Sequence, residues 1–198
     1  IHAFFRWMEA EGLISNIPRM VAPKVPKPLR PAVSAVDVGR LLTAAKGTRD
    51  KLIVSLLADT GLRRTELSSV EWADVDLEQD TIRVWGKGAK QRLVRYGPRS
   101  KSLMEMWLEQ PNKQACGSLL GLQSTGLQDL LSRLQERTGI KCNAHALRRT
   151  FACESVRNGL NVFYVQSLLG HSSLTMTRIY AEQVSSEDAI KAYKPIVT

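Results

Sequence analysis

Apolar positions recur at helical spacing along most of the chain. Residues 3–11 predict the end of an amphipathic helix that stops at Gly12. A second region opens at Ser34, a favourable N-cap, and continues with an apolar run through Leu41 and Leu42. Further helices are predicted at about 48–60, 64–70, 99–110, 124–138, 145–158, 161–169, 174–180 and 184–193.

Three short segments carry strand-like patterns instead. They cover residues 72–75, 81–85 and 92–96, and the glycine-containing turn 86–90 between the last two predicts a hairpin. We therefore expect an α+β fold that is mostly α-helical, with one small three-stranded antiparallel sheet.

A cluster of prolines interrupts the pattern near the N-terminus. Five of the eight prolines fall between Pro18 and Pro31, among several basic residues, and this density forbids a helix or a central strand. We expect an extended basic linker at 18–33, preceded at 1–17 by the end of another domain. The main domain then covers 34–198, of which 181–198 form a C-terminal tail.

The composition shows that the chain is basic. Of 198 residues, 28 are Lys or Arg and 19 are Asp or Glu, which gives a net charge of +9. Such an excess favours DNA, RNA or an anionic membrane as partner, although a basic domain without any of these is also compatible with it. No apolar stretch approaches the roughly 20 residues of a membrane span, and the three cysteines lack a CxxC spacing. A reducing cytoplasm is the simplest compartment.

The hairpin region is strongly basic. Residues 81–104 contain seven basic side chains and no acidic one. A cationic two-stranded ribbon can lie along DNA phosphates, or it can be a solvated edge that lysines protect from aggregation. The charge pattern alone leaves both interpretations open.

Several single residues could carry chemistry. His145 and Arg148 share one helix face, where they could bind one phosphate or simply be surface residues. Arg63 begins a helix, where its charge opposes the helix dipole and hints at an anionic ligand. His171 in a turn and Tyr180 near a helix end are, individually, typical structural residues. The sequence contains no HExxH, paired CxxC or GxxxxGK[ST] motif, so we expect neither metal nor ATP to be used.

The order of four blocks is more specific than any one of them. TGLRRTEL (60–67), GKGAKQR (86–92), HALRRTFA (145–152) and LLGHSSLTMTRIY (168–180) together resemble the tyrosine recombinase, or phage integrase, family. The match spans 34 to about 193, and 111–123 match nothing recognisable. The segment ahead, FFRWMEAEGLISNIP, resembles the last helix of that family's core-binding domain, most of which is missing from this sequence.

The resemblance implies a catalytic set. Its members would be Arg63, Lys87, His145, Arg148, His171 and Tyr180. Tyr180 would attack the scissile phosphate and form a 3′-phosphotyrosyl link, while the two arginines stabilise the charge of the transition state. Lys87 would protonate the leaving 5′-oxygen, His145 would act as general base towards the tyrosine, and His171 would bind the phosphate.

A wider set of basic residues is expected to contact DNA. These are Arg83, Lys90, Arg92, Lys24, Lys27, Arg30 and Arg149. Position 149 is Arg where many members of the family have His, a change we expect to be tolerated beside the catalytic positions.

The resemblance also implies partners and alternatives. Four protomers would assemble on two DNA duplexes in the bacterial cytoplasm, at the nucleoid, with accessory or directionality factors, whereas the free chain would be monomeric. Segment 184–194 would dock on a neighbouring subunit through Ala189, Ile190 and Tyr193, or would pack on its own domain. The alternatives are a type IB topoisomerase and an inactive DNA-binding relative, for which the helix pair 145–169 could be a helix-turn-helix.

Overall fold

The computed structural model describes residues 2–17, 32–86, 91–111 and 116–170. The chain divides into two compact units, residues 1–30 and 31–198. Most of the predicted linker, the turn 87–90 and all residues after Gly170 lie outside the described residues. The predicted domain bounds therefore stay predictions.

The first unit contains helix α1, His2–Ala10. The helix is followed by Gly12, whose positive φ of 69° suits a glycine at the end of a helix. Phe4 and Trp7 are exposed and stack on each other, with ring centroids 5.9 Å apart. The amphipathic helix expected here is confirmed.

The second unit is mostly helical, as predicted. Its helices are α2 (Ala35–Ala44), α3 (Gly47–Thr60), α4 (Arg64–Ser68), α5 (Pro98–Leu108), α6 (Ser124–Thr138), α7 (Ala144–Arg157) and α8 (Val162–Leu169). Ser34 caps α2 as expected, because its Oγ accepts a hydrogen bond from the backbone N–H of Asp37 at 3.1 Å. No helix in the described residues is long and apolar enough to cross a membrane.

Helix α3 forms the centre of this unit. It is buried almost all round from Leu52 to Leu57 and contacts α2, α5 and α7. A helix segment buried on nearly every side is stable only inside a core, which explains why residues 52–57 are apolar except for Ser55. The carboxylate of Asp59 accepts hydrogen bonds from Gly97 N–H at 3.0 Å and Ser100 Oγ at 2.6 Å, and so holds the start of α5 against α3.

The sheet is three-stranded and antiparallel, in the order β1 (Val75–Asp76), β2 (Thr81–Trp85), β3 (Gln91–Arg95). Its inner face contributes Ile82, Val84 and Val94 to the core. The strand predicted at 72–75 is wrong over most of its length, because 72–74 form a 3₁₀ turn. The Asp74 side chain caps this turn by accepting from Glu71 N–H at 3.3 Å, a local bond that competes with strand pairing.

Candidate active site

Arg63 stands where α3 ends and α4 begins. Gly61 ends α3 in the left-handed conformation, with φ 61° and its N–H bonded to the Leu57 carbonyl. A Cβ at this glycine would lie 2.5 Å from the ring of Phe151, so both conformation and space require glycine. This turn places Arg63 at the N-cap of α4 with its side chain 39% exposed.

Within the described residues, Arg63 forms an ion pair with Glu66. Arg63 Nη1 donates to Glu66 Oε1 at 2.6 Å, and Arg63 N–H donates to Oε2 at 2.8 Å. The dipole conflict seen in the sequence is thereby relieved, since a carboxylate in the first turn favours the helix start. The sequence analysis does not predict Glu66 as a site residue. The available signal was an acidic residue three positions after an N-cap, which is a capping-box spacing.

Glu66 also binds a second guanidinium. Arg92 on β3 donates from Nη1 to Oε1 at 3.1 Å and from Nη2 to Oε2 at 2.8 Å. Burial raises the pKa of a carboxyl group, but the hydrogen bonds from Arg92 and Arg63 outweigh it and lower the pKa of Glu66 to about 2. Glu66 is therefore a fixed negative charge at neutral pH.

Arg148 reaches the same region from α7. Asn143 caps this helix by accepting from Ala146 N–H at 2.8 Å, which fixes where its first turn begins. His145 lies exposed in that first turn, and Arg148 follows one turn later with only 2% of its surface exposed. Its guanidinium donates to the carbonyl oxygens of Gly61 and Leu169, each at 2.6 Å.

Three arginines donate hydrogen bonds to the C-terminal end of α8. The consecutive carbonyls of Leu168, Leu169 and Gly170 accept hydrogen bonds from Arg92 Nε at 2.7 Å, Arg148 Nη2 at 2.6 Å and Arg63 Nη2 at 3.3 Å, respectively. Carbonyls at a helix end lack partners within the helix and carry partial negative charge, so cations stabilise this end. Arginines from the N-cap of α4, from α7 and from β3 thus converge on one helix terminus.

The local charge is positive. Two guanidinium groups, those of Arg63 and Arg92, bind the buried carboxylate of Glu66, and the guanidinium of Arg148 binds the same end of α8 as they do. These four side chains together carry a surplus of two positive charges. Such a surplus beside a partly exposed arginine can bind a phosphate and stabilise negative charge on its oxygens.

The other predicted site residues divide into three groups. Arg83 lies exposed on the outer face of the sheet, whereas Arg149 is half-buried on α7. Arg92, for which the sequence predicts DNA contact, lies inward, and its guanidinium binds Glu66 and the Leu168 carbonyl. The remaining residues, Lys87, Lys90, His171, Tyr180, Lys24, Lys27 and Arg30, lie outside the described residues. Within the described ranges, no cluster of His, Cys, Asp and Glu side chains could hold a metal ion.

Comparisons with known proteins identify the family of the chain. Residues 32–187 match the model of the phage integrase family. The chain is 37% identical to tyrosine recombinase XerA of Saccharolobus solfataricus, covering 93% of this chain and 61% of that protein. It is 33% identical to tyrosine recombinase XerC of Corynebacterium efficiens, covering 98% of this chain and 68% of that protein.

A solved structure shares the fold. The crystal structure of XerA recombinase superimposes with a TM-score of 0.70 at 27% identity, covering 96% of this chain and 72% of that one. Its architecture matches the mostly helical unit with a small antiparallel sheet described above, which confirms the predicted fold class. By its sequence match over residues 32–187 and its fold, the chain belongs to the phage integrase family.

Proposed function

We propose that this chain is the strand-exchange domain of a site-specific DNA recombinase. The observation that carries the proposal is the convergence of Arg63 and Arg148 on adjacent carbonyls, those of Gly170 and Leu169. These arginines come from blocks 85 residues apart in sequence, yet their guanidinium groups end at the same helix terminus. Two positioned guanidinium groups can neutralise the non-bridging oxygens of a phosphodiester under attack.

The proposed reaction begins with attack by Tyr180. Its hydroxyl oxygen bonds to the scissile phosphorus, the bond from phosphorus to the 5′-oxygen breaks, and a 3′-phosphotyrosyl link remains. The proton of the tyrosine passes to His145, and Lys87 supplies a proton to the departing 5′-oxygen. His171 would donate a hydrogen bond to the phosphate.

Rejoining reverses these steps on another strand. A free 5′-hydroxyl gives its proton to Lys87 and attacks the phosphorus, the bond from phosphorus to Tyr180 breaks, and His145 returns a proton to the departing tyrosine. The covalent link conserves the energy of the phosphodiester, so the cycle needs no ATP, and the arginines supply the charge stabilisation for which other enzymes use a metal ion. Exchange between two duplexes would require four protomers, and the net charge of +9 favours their binding to DNA.

Covalent trapping tests the proposal. A binding site is first selected from a pool of randomised duplexes, and a version nicked near the cleavage point is mixed with the protein, with EDTA present and ATP omitted. We expect an adduct that survives denaturing electrophoresis and maps to Tyr180 by peptide mass. Tyr180→Phe should abolish it.

Tyr164→Phe serves as the matched control, because Tyr164 is exposed on α8 and none of the proposed steps uses it. An adduct that persists in Tyr180→Phe would refute the role of this tyrosine. A chain that binds the selected DNA and forms no adduct would refute strand cleavage and leave a DNA-binding protein. Relaxation of supercoiled DNA that does not depend on the selected site would favour a topoisomerase instead.

A further inference from the structure

We propose that Arg92 is a positioning residue of the strand-cleavage reaction, which holds Arg63 against the scissile phosphate by way of Glu66 and the end of α8. The inference rests on the proposed function and assigns to Arg92 a role other than DNA contact. It starts from the alternation of β3, where Arg92 points to the same side as the buried Val94.

Arg92 uses its donors on two different elements. Its Nη1 and Nη2 donate to both oxygens of Glu66 on α4, at 3.1 and 2.8 Å, and its Nε donates to the Leu168 carbonyl of α8 at 2.7 Å. A guanidinium has a rigid planar fork, so satisfying three acceptors fixes their relative positions. Arg92 thereby ties β3, α4 and α8 together at one point.

This ion pair is well shielded from water. The side chains of Arg92 and Glu66 are 11% and 6% exposed, respectively. Bidentate pairs between arginine and carboxylate are strong where water is excluded, and removing one partner leaves the other charge buried and uncompensated. Arg92 therefore determines where the carboxylate of Glu66 lies.

Glu66 passes this constraint on to Arg63. Its Oε1 atom accepts from Arg92 Nη1 and from Arg63 Nη1, so both guanidinium groups share one oxygen. Arg63 and Arg92 also bind carbonyls of the same helix end, those of Gly170 and Leu168. Without Arg92, the carboxylate could rotate and the helix end could shift, and Arg63 would follow both. A displacement of about 1 Å in a catalytic constellation can reduce a rate by about 10²-fold.

The neighbours of Arg92 on the sheet do not share this role. Arg83 and Arg95 lie on the outer face, and the side chain of Arg95 is 76% exposed. Arg95 belongs to the same strand as Arg92 and carries the same charge, but its guanidinium pairs with Asp80, at 4.0 Å, on the outer face of the sheet. It provides a matched control in which one positive charge of β3 is lost without loss of the buried ion pair.

The test compares Arg92→Gln and Arg95→Gln in the full 198-residue chain. For each, we would measure the dissociation constant for the selected duplex and the single-turnover rate of adduct formation at saturating DNA. The expected result for Arg92→Gln is a rate about 10- to 100-fold below that of the unsubstituted chain, with little change in the dissociation constant. Arg95→Gln should leave the saturated rate unchanged.

A second substrate separates positioning from general structural damage. A methylphosphonate at the scissile position replaces one charged oxygen by a methyl group, so its reaction depends less on guanidinium charge. If Arg92 acts by holding Arg63 against the phosphate, the rate ratio between the unsubstituted chain and Arg92→Gln should fall towards one on this neutral substrate. An equal defect on both substrates would overturn the proposal, and so would a change in the dissociation constant alone.

Failure of the proposal and failure of the proposed function are distinguishable. If the unsubstituted chain binds DNA but forms no adduct, strand cleavage itself is wrong. If it forms the adduct and Arg92→Gln does so at the same rate, only the positioning role is wrong. Should Arg92→Gln lose its cooperative urea transition, Arg92→Lys carries the same comparison, because its ammonium keeps the charge but cannot bind Glu66 bidentately while reaching Leu168.

Discussion

The guanidinium of Arg148 donates to the carbonyl oxygen of Gly61 at 2.6 Å, across 87 residues of sequence. The second nitrogen of the same fork donates to Leu169, which lies at the end of α8. One buried side chain thus fixes the turn that carries Arg63 to the helix end that Arg63 also contacts. The positions of the two arginines that bind phosphate in the proposed mechanism therefore depend on the same two backbone segments, the turn at Gly61 and the end of α8.

Arg148→Lys should damage both stability and activity. A lysine cannot satisfy both carbonyls in the geometry of the fork, and a buried acceptor without a partner costs about 1–3 kcal/mol in the free energy of unfolding. We expect a loss of that size in urea unfolding. Loss of one charge-stabilising donor should lower adduct formation by about 10²-fold.

Arg157→Lys is the control for that substitution. Arg157 lies on the same helix, but it is partly exposed and pairs with Glu154 within one turn. Surface substitutions of this kind change stability by less than about 0.5 kcal/mol. If Arg148→Lys behaved like Arg157→Lys in both measurements, the two hydrogen bonds from Arg148 to Gly61 and Leu169 would not stabilise the site.

Gly61→Ala should be far more harmful than Gly139→Ala. Both glycines end a helix with positive φ, 61° and 69°, so both substitutions carry the same backbone strain, about 1–2 kcal/mol. Of the two, Gly61 faces close neighbours, the side chains of Phe151 at 2.5 Å and Leu169 at 2.8 Å, while no atom of the described residues lies within 4 Å of a Cβ at Gly139. Urea unfolding measures the loss in the free energy of unfolding for each variant. Equal losses would show that the close contacts around Gly61 do not contribute to stability.

Helix ends, helix caps and strand bounds can be predicted from the sequence where neighbouring residues determine them. The end of α3 at Gly61, the cap of α2 at Ser34 and the extent of β2 follow from turn chemistry, capping and alternation, and the structure has all three. The 3₁₀ turn at 72–74 was missed because its apolar residues fit a strand equally well. In the structure the Asp74 carboxylate accepts a hydrogen bond from the Glu71 N–H, and a count of apolar positions does not register such a bond.

The pairing of Arg92 with Glu66 could not be predicted in this way. The two residues are 26 positions apart and meet only because the sheet packs beside α4 and α8. A partial signal was present, since Arg92 alternates with Val94 and so belongs to the inner face of β3. The basic residues of the hairpin indicate DNA contact. Their number alone does not distinguish Arg92, which points into the domain, from Arg83 and Arg95, which point outward.

Glu66→Gln should remove a pH-dependent part of the stability. The pKa of Glu66 is about 2 in the folded chain and 4.5 as its ordinary value, so the folded state favours the charged form. This stability is fully present above pH 4.5 and is lost as the pH falls towards 2. By linkage its size is on the order of 3 kcal/mol. The free energy of unfolding should therefore fall more steeply with acid in the unsubstituted chain than in Glu66→Gln.

Glu78→Gln is the comparison for this measurement, because Glu78 is exposed to solvent. Its pH dependence should follow that of the unsubstituted chain. If Glu66→Gln also followed it between pH 4.5 and 2, the carboxylate between Arg63 and Arg92 would not be the source of the acid sensitivity.

Arg83→Gln should weaken DNA binding without slowing cleavage on saturated DNA. Arg83 lies on the outer face of the sheet, opposite Leu93 in the register and away from Glu66, so its charge is available to phosphates. Loss of one phosphate contact reduces the slope of log affinity against log salt by about 1. The measurement is a salt titration of the dissociation constant for the selected duplex, made in parallel with Arg92→Gln. Arg92→Gln should keep the full slope, because its guanidinium is already bound to Glu66. The reverse result, with the slope reduced in Arg92→Gln and unchanged in Arg83→Gln, would mean that Arg92 leaves Glu66 to bind DNA.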